Sequence, residues 1–263
     1  MIIDFHTHAF EDSLAAKAIP FLEEEGNIKA FHDGRISSLL ADMDRAGIDR
    51  AVVCPIATKP THFEGIRRWA RAVRAAHPRI EMFLSIHPDD PEALAHADEA
   101  ASEGFKGLKF HPYYQKFVLD DERLFPLYER IAARGLIAVF HTGYDMAYPP
   151  DKVANPLRAR RVADAFPDFK LVVTHLGGWR DWEESRQCLI GRPIYLETSY
   201  CLHEMPTAEA RAMILAHPAD YLLFGTDSPW GDLAEELARW RTLELPPDLL
   251  AAALGGNAER LLQ

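Results

Sequence analysis

The sequence predicts a single (β/α)8 barrel, one α/β domain spanning residues 1–263. Three observations predict it. Short apolar runs alternate with amphipathic segments about eight times along the chain. A length of 263 residues matches the ~250 that eight strand–helix units require, with little left for a second domain. Half of the twelve histidines fall at the C-terminal ends of the apolar runs, the face where such a barrel carries its chemistry.

The apolar runs cover residues 2–5, 50–55, 80–86, 106–110, 136–140, 170–174, 193–197 and 221–224. They are rich in Val, Ile, Leu and Phe and almost continuously apolar, as strands covered on both faces should be. Between them lie helical stretches such as SSLLADMDRAG, GIRRWARAVRAA and DERLFPLYERIAARG. Several close on Gly or His-Pro, both helix stop signals. Parallel neighbours need such crossovers. Residues 11–30 read as a short helical insertion after the first strand, placed to act as a lid or rim. A doubly wound open sheet shows the same alternation, but no glycine-rich phosphate loop follows the first strand here.

Charge and cysteine usage narrow the partners. Lys and Arg total 29 against 40 Asp and Glu, a net charge of −11 that disfavours nucleic acid and anionic membrane surfaces. No apolar run approaches the ~18 residues of a membrane span, and MIIDFHTHAF lacks the basic start of a signal peptide. Cys54, Cys188 and Cys201 are few and far apart, as reduced thiols in a cytoplasm are. A small-molecule substrate is the expected partner, and homo-oligomerisation is left open.

The histidines sort into two groups. His32, His62, His77, His96, His203 and His217 lie in loops or helices and read as solvated or structural. His77 and His217 precede Pro at helix ends, where a cationic side chain suits the dipole. His6, His8, His87, His111, His141 and His175 end strands, and Asp227 joins them in LLFGTDSPW. Residues i and i+2 of a strand share a face, so His6 and His8 can reach one metal ion, leaving Phe5 and Thr7 toward the helices. His141, His175 and Asp227 each offer one metal-type ligand at a strand terminus. Nitrogen and carboxylate donors with open positions suit zinc, iron or manganese, zinc being the default for hydrolysis.

This constellation resembles the amidohydrolase superfamily, most closely its amidohydrolase-related branch. The resemblance runs through IIDFHTH, GLKFHP, VFHTG, VVTHLGG, YLETSY, LLFGTDSPW and GGNAERLL. It implies a metal-dependent TIM barrel with His6, His8, His141 and Asp227 as metal ligands. His175 becomes either a further ligand or the catalytic histidine beside the metal. That branch contains hydrolases, lactonases, non-oxidative decarboxylases and hydratases, so the resemblance leaves the reaction open. Two related groups fit less well. GLKFHP lacks the Gly-Glu-x-Gly context of the TatD deoxyribonuclease-like proteins. HTHAFEDS lacks the Ser-Asp-Gly of histidinol-phosphatase-like phosphoesterases.

On the fourth strand, Lys109 and His111 share a parity that points into the barrel. A buried lysine is costly unless paired. In binuclear superfamily members a carboxylated lysine there bridges two metals. The alternative is an ammonium paired with Asp4 or another interior carboxylate, and one ion rather than two is expected. His111 at the mouth suits substrate or a second metal, while His87 reads as structural. Trp179, Arg180 and Trp230 could form an aromatic wall with an arginine for a planar carboxylate. Tyr113, Tyr114 and Tyr144 are candidates for the pocket lining, and Glu197 is left without a role.

A metal-dependent hydrolase follows as the first expectation. A divalent metal lowers the pKa of a water toward ~7 and polarises a carbonyl. Asp227 takes the water's proton, and His175 polarises the carbonyl or stabilises an oxyanion. The bond cleaved is an amide, lactone or ester. A non-oxidative decarboxylase or hydratase on a small carboxylate is the runner-up. A non-catalytic metal-binding barrel is the third reading.

Overall fold

The computed structural model describes residues 1–263. Eight strands run in sequence: β1 (Ile3–Thr7), β2 (Arg50–Val53), β3 (Ile80–Met82), β4 (Gly107–Phe110), β5 (Ile137–Phe140), β6 (Lys170–Val173), β7 (Tyr195–Glu197) and β8 (Leu222–Leu223). The helix α1 (Asp12–Gly26) is the expected insertion after β1. Eight helices then follow the eight strands: α2 (Ile36–Ala46), α3 (Phe63–Ala76), α4 (Ala93–Ser102), α5 (Phe125–Ala133), α6 (Pro156–Ala165), α7 (Trp182–Cys188), α8 (Thr207–Ala216) and α9 (Leu233–Thr242). Two short helices, α10 (Pro247–Ala251) and α11 (Asn257–Leu261), end the chain.

All strand pairs are parallel and in chain order, β1-β2-β3 and β4-β5-β6-β7-β8. Backbone hydrogen bonds close both seams. Leu84 N donates to Gly107 O at 3.0 Å and Lys109 N to Leu84 O at 2.8 Å. Phe5 N donates to Phe224 O and Asp227 N to His6 O, both at 2.8 Å. The result is the closed (β/α)8 TIM barrel that the alternation predicts.

Alternation along each strand divides the apolar side chains. Ile3, Val52, Phe83, Val139, Val172 and Leu223 form one cluster at the centre, closed by Ala258, Leu261 and Leu262 at the C-terminal end of the chain. Their neighbours Ala51, Val53, Leu108, Phe110, Leu171 and Val173 pack outward against the helices. Each such large side chain stabilises the fold by about 1.5–3 kcal/mol on burial. Gly107 is required inside, because a Cβ there would run into the Phe83 ring.

Two expectations on β1 are overturned by a bulge. Pairing runs Ile3 with Arg50 and Asp4 with Ala51, then resumes at Thr7 with Val53. Two residues, Phe5 and His6, therefore oppose one. The bulge breaks the simple two-residue period. Phe5 enters the central cluster instead of facing the helices. Asp4 does not pair with Lys109; its carboxylate accepts from the Thr226 hydroxyl at 2.6 Å and from the Thr226 amide at 3.1 Å.

The helix-end histidine His217 is also corrected. It is buried and its Nε2 donates to Ile194 O at 2.9 Å. Burial pushes its pKa down to about 4, so the native ring is neutral and adds no cation to the helix end. Between pH 6.5 and about 4 the unfolded chain binds the extra proton, so stability falls as pH falls through that window. Urea unfolding at pH 7.5 and 5.0 should show a loss about 1–2 kcal/mol smaller in His217→Gln than in the parent. Equal losses in both proteins would remove His217 from the pH response.

Candidate metal centre and active-site pocket

Two of the site's residues owe their positions to strained turns at strand ends. His175 (φ 57°) and Asp227 (φ 61°) both adopt left-handed backbone, costly for residues with a Cβ. Such strain persists where surrounding contacts over-determine it. Asp227 is fixed by its amide bond to the His6 carbonyl across the β8–β1 seam. His175 is fixed by Nδ1 donating to Ser199 O at 2.9 Å.

His6, His8 and Asp227 converge. His6 Nε2 lies 3.1 Å from His8 Nε2, and Asp227 Oδ1 lies 3.3 Å and 3.1 Å from those two nitrogens. The outer ring nitrogens are occupied. His8 Nδ1 meets the Cys54 carbonyl at 2.8 Å, and His6 Nδ1 meets Glu197 Oε2 at 2.8 Å. Nε2 of each ring therefore points toward the other and toward the Asp227 oxygen, and Lys109 Nζ also reaches His6 Nε2. Two imidazole nitrogens and a carboxylate oxygen converging in this way are metal-type donors. With ligand bonds of about 2.0–2.1 Å, tetrahedral to octahedral geometry puts neighbouring donors roughly 2.9–3.4 Å apart. The observed separations fall in that interval, so the donor set fits a metal ion.

A second facing pair stands beside the first. His141 Nδ1 and His175 Nε2 are 3.1 Å apart, and the His6 and His175 ring centroids are 5.7 Å apart. His141 Nε2 donates to Tyr144 O at 3.0 Å, leaving Nδ1 bare. His175 gives its proton to Ser199 O, so its Nε2 accepts rather than donates. The tautomer departs from the expectation that His175 stabilises an oxyanion, which needs an N–H at that position. Burial lowers the His175 pKa to about 4, in keeping with a neutral ring.

Lys109 points inward as its parity predicts and is fully buried. Its Nζ contacts His6 Nε2 at 2.8 Å rather than a carboxylate. Burial drives its pKa down, against the pull of Cys54, Asp227 and Glu197. Burial also acts to raise Asp227, but the bond with His8 and the positive charge of its neighbours, Lys109 among them, hold it below the ordinary carboxylate range.

Glu197, left without a role from sequence, belongs to this centre. It is fully buried and accepts from the Ser199 amide and, at 2.9 Å, from the Ser199 hydroxyl. Burial pushes its carboxyl well up, and its bond to His6 fixes the orientation of that ring. Partners of this kind tune the ligand they hold. Glu197→Gln should weaken metal loading by about 10–100-fold with little change in fold. A metal titration followed by circular dichroism checks both halves.

Asp145 is the other residue that sequence reasoning missed. Its Oδ2 lies 3.4 Å from His111 Nε2 and 3.9 Å from His141 Nε2, and the His111 and His141 rings stack at 4.1 Å. Burial raises its pKa to about 6. His6–His8–Asp227 and His111–His141–Asp145 are thus two neighbouring groups of ligand-type atoms. His141 belongs to the second of these, through the nitrogen turned away from His175.

All residues of these two groups but the buried His6 line the floor of a cavity of about 870 Å³. His111, Tyr144, Trp179, Tyr200 and Trp230 line it, and most of its remaining wall is apolar. Arg180 departs from expectation. Its backbone is left-handed (φ 57°), which turns the exposed guanidinium out to Glu204 at 2.7 Å and over the Trp179 ring at 4.2 Å. Arg180 is not part of the cavity wall. His62 is part of it, although its place in the sequence reads as that of a solvated or structural residue. His87 bonds the Asp89 amide at 3.1 Å, the structural role expected of it.

Comparison with solved structures places the architecture among TIM barrels. The chain is similar to an uncharacterized TIM-barrel protein, Bb4693, from Bordetella bronchiseptica, with TM-score 0.81 and 24% identity over 99% of this chain and 98% of that one. It is similar to 5-carboxyvanillate decarboxylase LigW from Sphingomonas paucimobilis, with TM-score 0.71 and 19% identity over 99% and 98% of the two chains. It is also similar to a dihydroxybenzoic acid decarboxylase from Polaromonas sp. JS666 with bound manganese and 2-nitroresorcinol, with TM-score 0.74 and 18% identity over 99% and 96%. No curated protein matches the chain. The amidohydrolase family model matches residues 3–263, which takes in every strand and both groups of ligand-type side chains, and the chain belongs to that family.

Proposed function

We propose that the chain is a metal-dependent hydrolase acting on an amide, lactone or ester bond of a small molecule. The convergence of His6 Nε2, His8 Nε2 and Asp227 Oδ1 within 3.1–3.3 Å of one another at the floor of a large cavity carries this reading. A single divalent ion, zinc first and iron or manganese next, would there lower the pKa of a water and polarise the scissile carbonyl. His6, His8 and Asp227 hold it, and His141 Nδ1 and His175 Nε2 stand beside them as the further candidate donors. Asp227 accepts the proton of the attacking water and returns it to the leaving group. Lys109 stays uncarboxylated beside the ion; a carboxylated Lys109 would add 44 Da, about the mass of carbon dioxide, to the intact chain. His111, Tyr144, Trp179 and Trp230 contact the substrate. Arg180, turned outward, is given no part.

The purified protein should carry about one equivalent of metal, and the His6→Ala/His8→Ala variant should lose it. Full retention by that variant would overturn the site. No helix is long and apolar enough to cross a membrane. Three buried free cysteines support a reducing, cytoplasmic setting.

A second reading, a carboxy-lyase, draws support from the aromatic cavity wall and from the decarboxylases of similar fold. Assays of lactones, amides and aromatic carboxylates in ¹⁸O-labelled water separate the two. Hydrolysis places the label in the product. Carbon dioxide release with no label in the organic product would replace the first reading by the second.

A further inference from the structure

The cavity extends beyond the strand ends along the flank formed by α1 and α3. From α1, Leu14, Lys17, Ala18, Phe21 and Leu22 line it, a helical face at the spacing i, i+3, i+4, i+7 and i+8. From α3 come Ile66, Arg68 and Trp69, opposite that face. Leu14 is 52% and Phe21 56% exposed, large apolar side chains that nothing in the chain covers. Met146, 40% exposed, continues the same wall on the β5 side.

The charges along this groove are placed unevenly. Arg67 is tied to Glu64, Glu99 and Glu103, and Arg71 to Glu103, which fastens α3 to α4. Arg68, between them, makes no hydrogen bond or ion pair and lies on the groove wall. Lys17 likewise has no partner and lies on the groove wall. They are the only lysine and arginine of the whole cavity lining. Among the carboxylates of that lining, Asp145 and Asp227 face imidazoles at the floor. Glu11, before α1, is the remaining one. In a chain of net charge −11, two unpaired cations beside exposed apolar side chains match an anion joined to an apolar body.

We infer that the groove between α1 and α3 binds an apolar arm of the substrate whose far end carries an anionic group held by Lys17 and Arg68. The inference rests on the proposed small-molecule enzyme and names its substrate class: an amphipathic anion with its reacting bond at the strand ends. The lining face of α1 runs from Leu14 to Leu22, which at 1.5 Å per residue is about 12 Å, so the arm is of that order in length. Short substrates such as acetate esters or acetamides reach only the floor.

Binding tests this without turnover, using the metal-loaded protein and calorimetry with sebacate, sebacic acid monomethyl ester, decyltrimethylammonium and acetate. Sebacate and its monoester should bind at least 10-fold more tightly than acetate or the cationic amphiphile. Lys17→Met/Arg68→Met should remove at least 10-fold of that affinity, and Leu14→Ser/Phe21→Ser a similar factor, while acetate binding stays unchanged. All four positions are solvent-facing, so the variants should fold. Sebacate affinity lost in the serine variant but kept in the methionine variant would overturn the anion subsite. A serine variant that changes the mass in sedimentation would show that a second copy of the chain covers the groove, and would overturn the arm. Carbon dioxide release in place of hydrolysis would change the reaction and leave these affinities intact. Absent affinities in a hydrolytically active protein would sink the groove alone.

Discussion

Asp227→Asn should lower turnover by about 10²–10⁴-fold, the range for loss of a positioned general base. The substitution preserves size and the fold of the turn but removes the charge. Asp227 Oδ1 stands 3.1 Å from His8 Nε2 and is held ionised by its neighbours despite its burial. An amide oxygen can still ligate weakly, but it cannot take a proton from water. The kcat should therefore carry most of the loss, and metal content, measured in the same preparation, should fall less than occupancy-limited activity would require. A variant whose activity returns fully at saturating metal would make Asp227 a ligand only. A variant with undiminished activity would remove it from the chemistry.

Gly143→Ala should destabilise the fold by about 3–5 kcal/mol, combining left-handed strain with a collision that cannot relax. Gly143 has φ 92°, and its Cβ would run into the Trp179 amide nitrogen and reach the Gly178 carbonyl carbon at 2.5 Å. These are backbone atoms, held by Trp179 N donating to Thr142 O at 2.9 Å and Tyr144 N donating to Trp179 O at 3.0 Å. The two loops so joined carry His141 and His175. Gly135 is the control: φ is 67° and nothing lies within 4 Å of its Cβ. Gly135→Ala should cost only about 1 kcal/mol. Thermal unfolding should separate the two by several degrees, since 1 kcal/mol shifts the midpoint of a chain this size by roughly 2–4 °C. Equal shifts would show that the loops yield.

The barrel was legible because periodicity is a local signal. Strands with two buried faces and helices with one announce themselves within a dozen residues. The inward direction of Lys109 followed from alternation alone. What failed was whatever depended on pairing between distant segments. The bulge at Phe5 and His6 exists only relative to β2, so it reversed the expected faces of Phe5 and Asp4. Glu197 had uncertain parity until its register against Leu223 was known. Its signal was an acidic residue ending an apolar run, the pattern that drew attention to Asp227. Asp145 sits in an irregular loop with no period to read. Arg180 was assigned by adjacency to Trp179, but one left-handed residue turns the side chain away.

The seam joining β8 to β1 has a consequence for how the protein matures. His6 and Asp227 stand 221 residues apart in sequence, yet the carbonyl of one accepts from the amide of the other. During synthesis the histidine pair leaves the ribosome well before its carboxylate partner. Until β8 docks, the early chain has two imidazoles and no enclosing site. On the proposed ligand assignment, ion capture is tied to the final closure of the barrel, and an ion bound at that seam would stabilise the completed form over every partly wound one.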